Sequence, residues 1–217
     1  MSTTNTNSLS KGSADQHDST STTRGGPRSW RVVDIVVASV LGVAAGIIFW
    51  AWGLAWTPLS SVLAFLAPLS GLLVGGWLFA GVLGGLVIRK PGAALFTEVV
   101  AGVVSMMVGT QWGFSVLIWA VVQGLAAELA FAALGYRRWG LSAALLSGAV
   151  AGVAVGLMDN TFGSNAVWEL GYKSIYLGCA VASGIVVAGL LSWLAVRALA
   201  RTGALASFAS GRTTHEV

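Results

Sequence analysis

Six runs of about twenty apolar residues dominate the chain, at roughly 32–52, 69–88, 91–108, 114–134, 141–158 and 174–199. At about 1.5 Å of rise per residue, a helix of that length covers the roughly 30 Å of a hydrocarbon core. This pattern predicts an all-α membrane protein, a bundle of six transmembrane helices. Charge content agrees: 9% of residues are charged and 56% hydrophobic, where soluble domains carry about a quarter charged residues.

The connections set the expected topology. Lys and Arg accumulate in short cytoplasmic connections of membrane proteins. With the N-terminus inside, Lys11, Arg24, Arg28, Arg31, Arg89, Lys90, Arg137, Arg138, Arg197, Arg201 and Arg212 all fall on the inner face, and Lys173 alone falls outside. Both termini are therefore expected in the cytoplasm. The basic residues form short clusters between apolar runs, as topology signals do, and nucleic-acid binding is not expected. Residues 1–29 are rich in Ser, Thr, Asn and Gly and are expected as a disordered tail, because they offer too little apolar surface to offset chain entropy. No apolar h-region follows their basic residues before Trp30, so they do not read as a cleaved signal peptide. Residues 30–201 form the membrane domain and 202–217 a second cytoplasmic tail. Within the domain, 53–68 is interrupted by Pro58 and Pro68 and is too short to cross twice. It is expected as a long outer loop or re-entrant piece, packed against protein.

In lipid, small residues must supply much of the helix association. Four-residue spacings of such residues occur at Ala38, Gly42 and Gly46, at Gly148, Gly152 and Gly156, and at Ala180, Gly184 and Ala188. Each ridge serves either intramolecular packing or docking of another membrane subunit.

Ionisable groups are costly at membrane depth, and each needs a partner or a function. Asp34 lies three residues after Arg31, the spacing of a local ion pair. Glu98 is the first candidate for contacting a cationic or amine-bearing ligand; Glu128 serves equally as a buried structural group. Trp112, Trp119 and Gln123 are spaced to share one face of the fourth helix. Trp50, Trp52, Trp56, Trp112, Trp168 and Tyr172 gather with Asp159 and Glu169 toward the expected outer surface. Tryptophans there also form lipid-facing belts. Their number beside two carboxylates instead describes a mildly acidic aromatic mouth, suited to a flat heteroaromatic cation held by stacking and cation–π attraction. Candidate binding residues are thus Glu98, Trp112, Trp119, Gln123, Trp52, Trp56, Asp159, Trp168 and Tyr172. No metal site is expected: the one cysteine, Cys179, lies in an apolar run, and His17 and His215 lie in the tails. No Gly-x-Ser-x-Gly, His-Glu-x-x-His or phosphate-loop pattern occurs, so neither an enzyme nor direct ATP hydrolysis is expected.

Three stretches, WRVVDIVVASVLGVAAGIIFWAW from Trp30, VLGGLVIRKPGAALFTEVVAG from Val82 and YRRWG from Tyr136, resemble the S components of energy-coupling-factor (ECF) vitamin transporters, of the thiamine and hydroxymethylpyrimidine type. The resemblance extends over about Trp30 to Arg201. It implies a bacterial plasma-membrane subunit that captures a vitamin from outside and works with a transmembrane coupling subunit and two cytoplasmic ATPases. This chain itself would bind no cofactor, ATP being used by the ATPases. The resemblance also implies that the small-residue motif on the first helix, here Ala38 and Gly42 with Gly46 continuing the ridge, meets the coupling subunit, and it places Glu98 in the pocket by motif context. The competing reading is a self-sufficient secondary transporter or channel for a small cationic heteroaromatic solute; two intramembrane glutamates without a histidine offer it little support.

Overall fold

The computed structural model describes Met1 and residues 29–202. Apart from Met1, Ser29 and Thr202, the expected tails lie outside the described residues. Among those described, all regular structure is helical: α1 (Val32–Val62), a 3₁₀ stretch (Ala64–Trp77), α2 (Phe79–Ile88), α3 (Ala93–Val108), α4 (Ser115–Ala133), α5 (Leu141–Thr161), a 3₁₀ turn (Ser164–Val167), α6 (Leu170–Ser183), a π-helical stretch (Gly184–Leu191) and α7 (Ser192–Arg201). Five helical stretches are long and apolar enough to cross a membrane, two of them composite, Ala64–Ile88 and Leu170–Arg201; Ala93–Val108 is apolar but shorter. The protein is a multi-pass membrane protein.

One expectation is corrected. The segment 53–68 is not a long loop: α1 continues helically through Pro58 to Val62, and the chain turns at once into the 3₁₀ stretch. Proline removes one helical donor, yet leaving the helix in a water-poor setting would strand many more. The break falls instead at Leu66, where φ −141° and ψ 79° depart from helical values. The 3₁₀ stretch recovers partners from neighbouring helices. Trp52 Nε1 donates to the Leu73 carbonyl at 2.9 Å, Ser183 Oγ donates to the Leu72 carbonyl at 2.5 Å, and the Gly75 N–H donates to Ser183 Oγ at 3.0 Å.

Small residues are consumed inside the bundle. Ala38 is fully buried, and Gly42 and Gly46 let α1 approach α3 closely. A Cβ at Gly42 would stand 2.6 Å from Val100 Cγ1 and 3.0 Å from the Thr97 carbonyl oxygen, and one at Gly46 would stand 2.6 Å from Val104 Cβ. The ridge expected to dock a coupling subunit is therefore covered by this chain's own third helix, and α1 presents Val36, Val40, Val43 and Ile47 outward instead. Gly148 and Gly184 likewise bring two backbones together: a Cβ on either would collide with the carbonyl oxygen of the other.

The basic connections are gathered at one end. Asp34, buried there, is paired with Arg31 at 3.2 Å and Lys90 at 2.5 Å. Lys90 Nζ also donates to the Ser29 carbonyl, and Trp30 Nε1 to the Pro91 carbonyl at 2.9 Å. This network ties the start of α1 to the α2–α3 turn, a larger role than the local pair expected. Glu128 is structural: its carboxylate accepts from the N–H groups of Gly92 at 2.7 Å and Ala94 at 2.9 Å and from the Tyr136 hydroxyl at 2.8 Å. It thereby satisfies donors at the N-terminus of α3, where negative charge is favourable.

Gly42→Leu forces four extra carbons into the α1–α3 contact. It is expected to cost at least about 1–3 kcal/mol, read as a lower melting temperature in detergent. Val43→Leu, on the exposed side of the same turn, should stay within about 0.5 kcal/mol of the parent protein. Equal melting of the two variants would contradict the close approach.

Candidate functional site

At the end opposite the basic turns, the helices part around a cavity of about 490 Å³, within the range of about 300–1,000 Å³ usual for small-molecule sites. One wall is a triangle of indoles. Trp77 lies 5.2 Å from both Trp56 and Trp112, the latter edge-to-face at 88°, and Trp56 and Trp112 are 6.4 Å apart. Three elements deliver these rings: the last turns of α1, the end of the 3₁₀ stretch and the α3–α4 turn. Two local features hold Trp112 in place. Gln111 Nε2 donates to the Gly53 carbonyl at 3.0 Å, and the missing Cβ of Gly53 makes room for the Trp112 ring, 2.9 Å from where that atom would be.

The opposite wall carries the charge. Asp159, in the last turn of α5, accepts from Trp119 Nε1 at 2.8 Å on Oδ1 and from the Tyr176 hydroxyl at 2.6 Å on Oδ2. Among the described residues no cation stands within ion-pair distance of it. Trp168 packs edge-on against Tyr176 with ring centroids at 5.8 Å, and Ser164 and Asn165 line the cavity beside it. The result is a carboxylate fixed by two donors inside an aromatic box, positioned to face a cation or an amine across a poorly hydrated space.

Of the residues expected from sequence, Trp56, Trp112, Trp119, Gln123, Asp159 and Trp168 share this cavity. Trp112 is not on the fourth helix, which begins at Ser115; the α3–α4 turn brings it to the same space. Trp52 is absent from the wall, because its indole N–H is spent on Leu73 and its ring lies edge-on to Trp77 at 6.4 Å. Tyr172 sits outside, edge-on to Trp168 at 6.3 Å. Glu98 is 1% exposed and does not line the cavity. It lies beneath Gln123: its Oε2 accepts from the Gly81 N–H at 2.6 Å. With the Gln123 amide oriented by its partners, its nitrogen donates to Glu98 Oε1 at 3.0 Å and to the Trp77 carbonyl at 3.2 Å. A Cβ at Gly81 would stand 3.2 Å from Glu98 Oε2, so the glycine leaves room for the carboxylate against its own N–H.

Trp77 and Tyr176 were missed by the sequence reading, both lying inside runs read as membrane spans. Tyr176 carried a usable signal, since it follows Tyr172 by four residues and shares its helical face. Trp77 carried none beyond its residue type.

The fold and site are those of a membrane-embedded helical bundle with a ligand-sized cavity. A family model described as ABC-type cobalt transport system, permease component, matches residues 33–154. The chain is 33% identical over 187 residues to the putative HMP/thiamine permease protein YkoE of Bacillus subtilis, covering 85% of this chain and 92% of that one. It also matches a crystal structure of an S-component of an ECF transporter with a TM-score of 0.82 at 31% identity, covering 87% of this chain and 94% of that chain. The chain belongs to the S-component family of ECF transporters, beside the Bacillus subtilis HMP/thiamine permease. These relatives are transport components and not enzymes.

Tyr176→Phe keeps the ring and removes one donor to Asp159, and Trp119→Phe removes the other donor while replacing the indole with a smaller phenyl ring. Loss of the hydrogen bond to a carboxylate should lower stability by about 1.5–3 kcal/mol in each, and Trp119→Phe should lose more because the smaller ring leaves space unfilled. Because the two donors share one carboxylate, thermal melts of the single and double variants should show non-additive losses; strict additivity would mean that the bonds are independent.

Proposed function

We propose that this chain captures thiamine or its hydroxymethylpyrimidine precursor from outside a bacterial plasma membrane and delivers it to a transmembrane coupling subunit driven by two cytoplasmic ATPases. The observation that carries this reading is Asp159, held by Trp119 and Tyr176 inside a cavity walled by indoles. A thiazolium is a permanent flat cation and an aminopyrimidine is a flat ring with N–H donors; both suit stacking on indole faces with a carboxylate at the edge. The name of the Bacillus subtilis relative points to the same substrate class.

In this reading six helices cross the membrane, with the described chain ends inside. Arg31, Arg89, Lys90, Arg137, Arg197 and Arg201 mark the inner face, and the cavity with Asp159 and Trp168 marks the outer one. On a Cys179→Ala background, Ser164→Cys should react with an impermeant thiol reagent on intact cells and Arg137→Cys should not. The opposite pattern would invert the orientation.

Titrating the purified protein with thiamine, hydroxymethylpyrimidine and riboflavin tests the binding. One of the first two should bind tightly, and vesicles holding only this chain should not accumulate it. Accumulation driven by an ion gradient alone would instead make the protein a secondary transporter. Asp159→Asn keeps the shape and removes the charge, so affinity should fall about ten- to a hundredfold, the equivalent of losing about 1.5–3 kcal/mol. Glu98 acts as a positioning residue through Gln123. Glu98→Gln should weaken binding less than Asp159→Asn does, and in a Gln123→Ala background it should add nothing further. A full additional loss there would put Glu98 in direct contact with the ligand.

A further inference from the structure

Each connection at the cavity end carries a phenylalanine that the fold leaves uncovered. Phe65, just past the end of α1, is 80% exposed; Phe114, immediately before α4, is 72% exposed; Phe162, immediately after α5, is 80% exposed. Each is the chain neighbour of a residue that lines the Asp159 cavity: Ala64, Ser115 and Gly163. They belong to three separate connections, so the fold, not local sequence, sets all three beside one cavity. Val167 and Leu170, in and just after the last of these connections, are equally bare.

Single exposed apolar side chains are ordinary on a protein surface. At this end the charged groups that usually surround them are missing. No charged residue lies between Asp34 and Arg89 or between Glu98 and Glu128, and the α5–α6 connection has only Glu169. Lys173, in the first turn of α6, donates to the Ala166 carbonyl at 2.7 Å. The opposite end shows the contrast, with Arg89 and Lys90 in one connection and Arg137 and Arg138 in the other. The apolar surface also has no edge beneath the phenylalanines. Val62 precedes Phe65 at the end of α1, Met107 and Val108 precede Phe114 at the end of α3, and Leu157 precedes Phe162 on α5, all of them exposed. The lipid-facing sides of three helices therefore run on over their connections. A protein partner is ordinarily met with a polar rim around an apolar centre, and this end offers no such rim. A hydrocarbon boundary asks only for apolar area, which is what continues here from the helix sides.

We propose that the three phenylalanine-bearing connections insert into the boundary between headgroups and acyl chains of the outer leaflet, so that the Asp159 cavity opens among lipid headgroups and not into bulk water. The leaflet assignment rests on the orientation given under Proposed function. The insertion itself stands whichever way the chain faces and whatever the cavity binds, so failure of either reading leaves the other in place.

The photoreactive p-benzoylphenylalanine, which keeps an aromatic ring, is placed one site at a time at Phe65, Phe114 and Phe162 of the full-length protein. The variants are irradiated in phosphatidylcholine nanodiscs and in intact cells, and the crosslinked products are identified by mass spectrometry. All three sites should give phospholipid adducts in a yield comparable with that of the same probe at Val43, on the outward side of α1. Yields no higher than that of the irradiated parent protein overturn the proposal. Adducts to another protein in cells, without lipid adducts in nanodiscs, would make this end a protein-docking surface and overturn the lipid assignment. Spin labels on Phe65→Cys, Phe114→Cys and Phe162→Cys, each in a Cys179→Ala background, give an independent reading in nanodiscs. Molecular oxygen should relax these labels more than a water-soluble nickel chelate does, the reverse of a label at Arg138→Cys in an exposed basic connection. Collisions with the chelate as frequent as at position 138 would put the connections in water and overturn the proposal.

Discussion

Everything in this structure answers to the absence of water around its backbone. Within hydrocarbon each unpaired N–H or carbonyl costs several kcal/mol, so deviations from regular helix survive only where another part of the chain supplies a partner. The 3₁₀ stretch before α2 shows this directly, its carbonyls and N–H groups taken up by Trp52 and Ser183 from two other helices. That detour has a functional consequence. It ends at Trp77, and the indole at its end closes the aromatic triangle with Trp56 and Trp112.

The same constraint explains why small residues are spent inside. Without a hydrophobic drive between helices, stability comes from backbone proximity, and the glycines of α1 and α5 lie against α3 and the α6–π segment respectively. A four-residue repeat of small residues therefore says that a close contact exists and says nothing about whose helix makes it. The outward face of α1, with valines and isoleucines in place of glycines, meets lipid or a partner through larger side chains.

How far the sequence could be read follows from these two points. Helix positions were legible because apolar run length is a one-dimensional property, and the grouping of Arg89, Arg137 and Arg197 at one end was legible because charge marks connections. Pro58 misled, since proline's local cost was weighed without the larger cost of leaving the helix. Half of the aromatic cavity was visible as tryptophans clustered near run ends. Trp77 and Tyr176 were hidden because a residue inside an apolar run gives no sign of which neighbour it faces. Only the tertiary path of the 3₁₀ stretch and the rotation of α6 decide that.

Of the four acidic groups inside the described helices, Glu128 serves the N-terminus of α3, and the other three end in different chemical surroundings. Asp34 is paired by Lys90 and Arg31, and Glu98 is shared between the Gly81 N–H and the Gln123 amide. Both are surrounded on every side by protein donors and are stiff parts of the scaffold. Asp159 differs in that its two donors, an indole and a phenol, are neutral and belong to the cavity wall. Neutral donors orient a carboxylate without cancelling its charge, so the field of Asp159 still reaches into the cavity. Glu98, one layer below, then fixes the amide that borders the same space. A fixed charge above a locked amide is a preorganised site: the cost of ordering these groups is met in folding, and binding energy is not diverted to it.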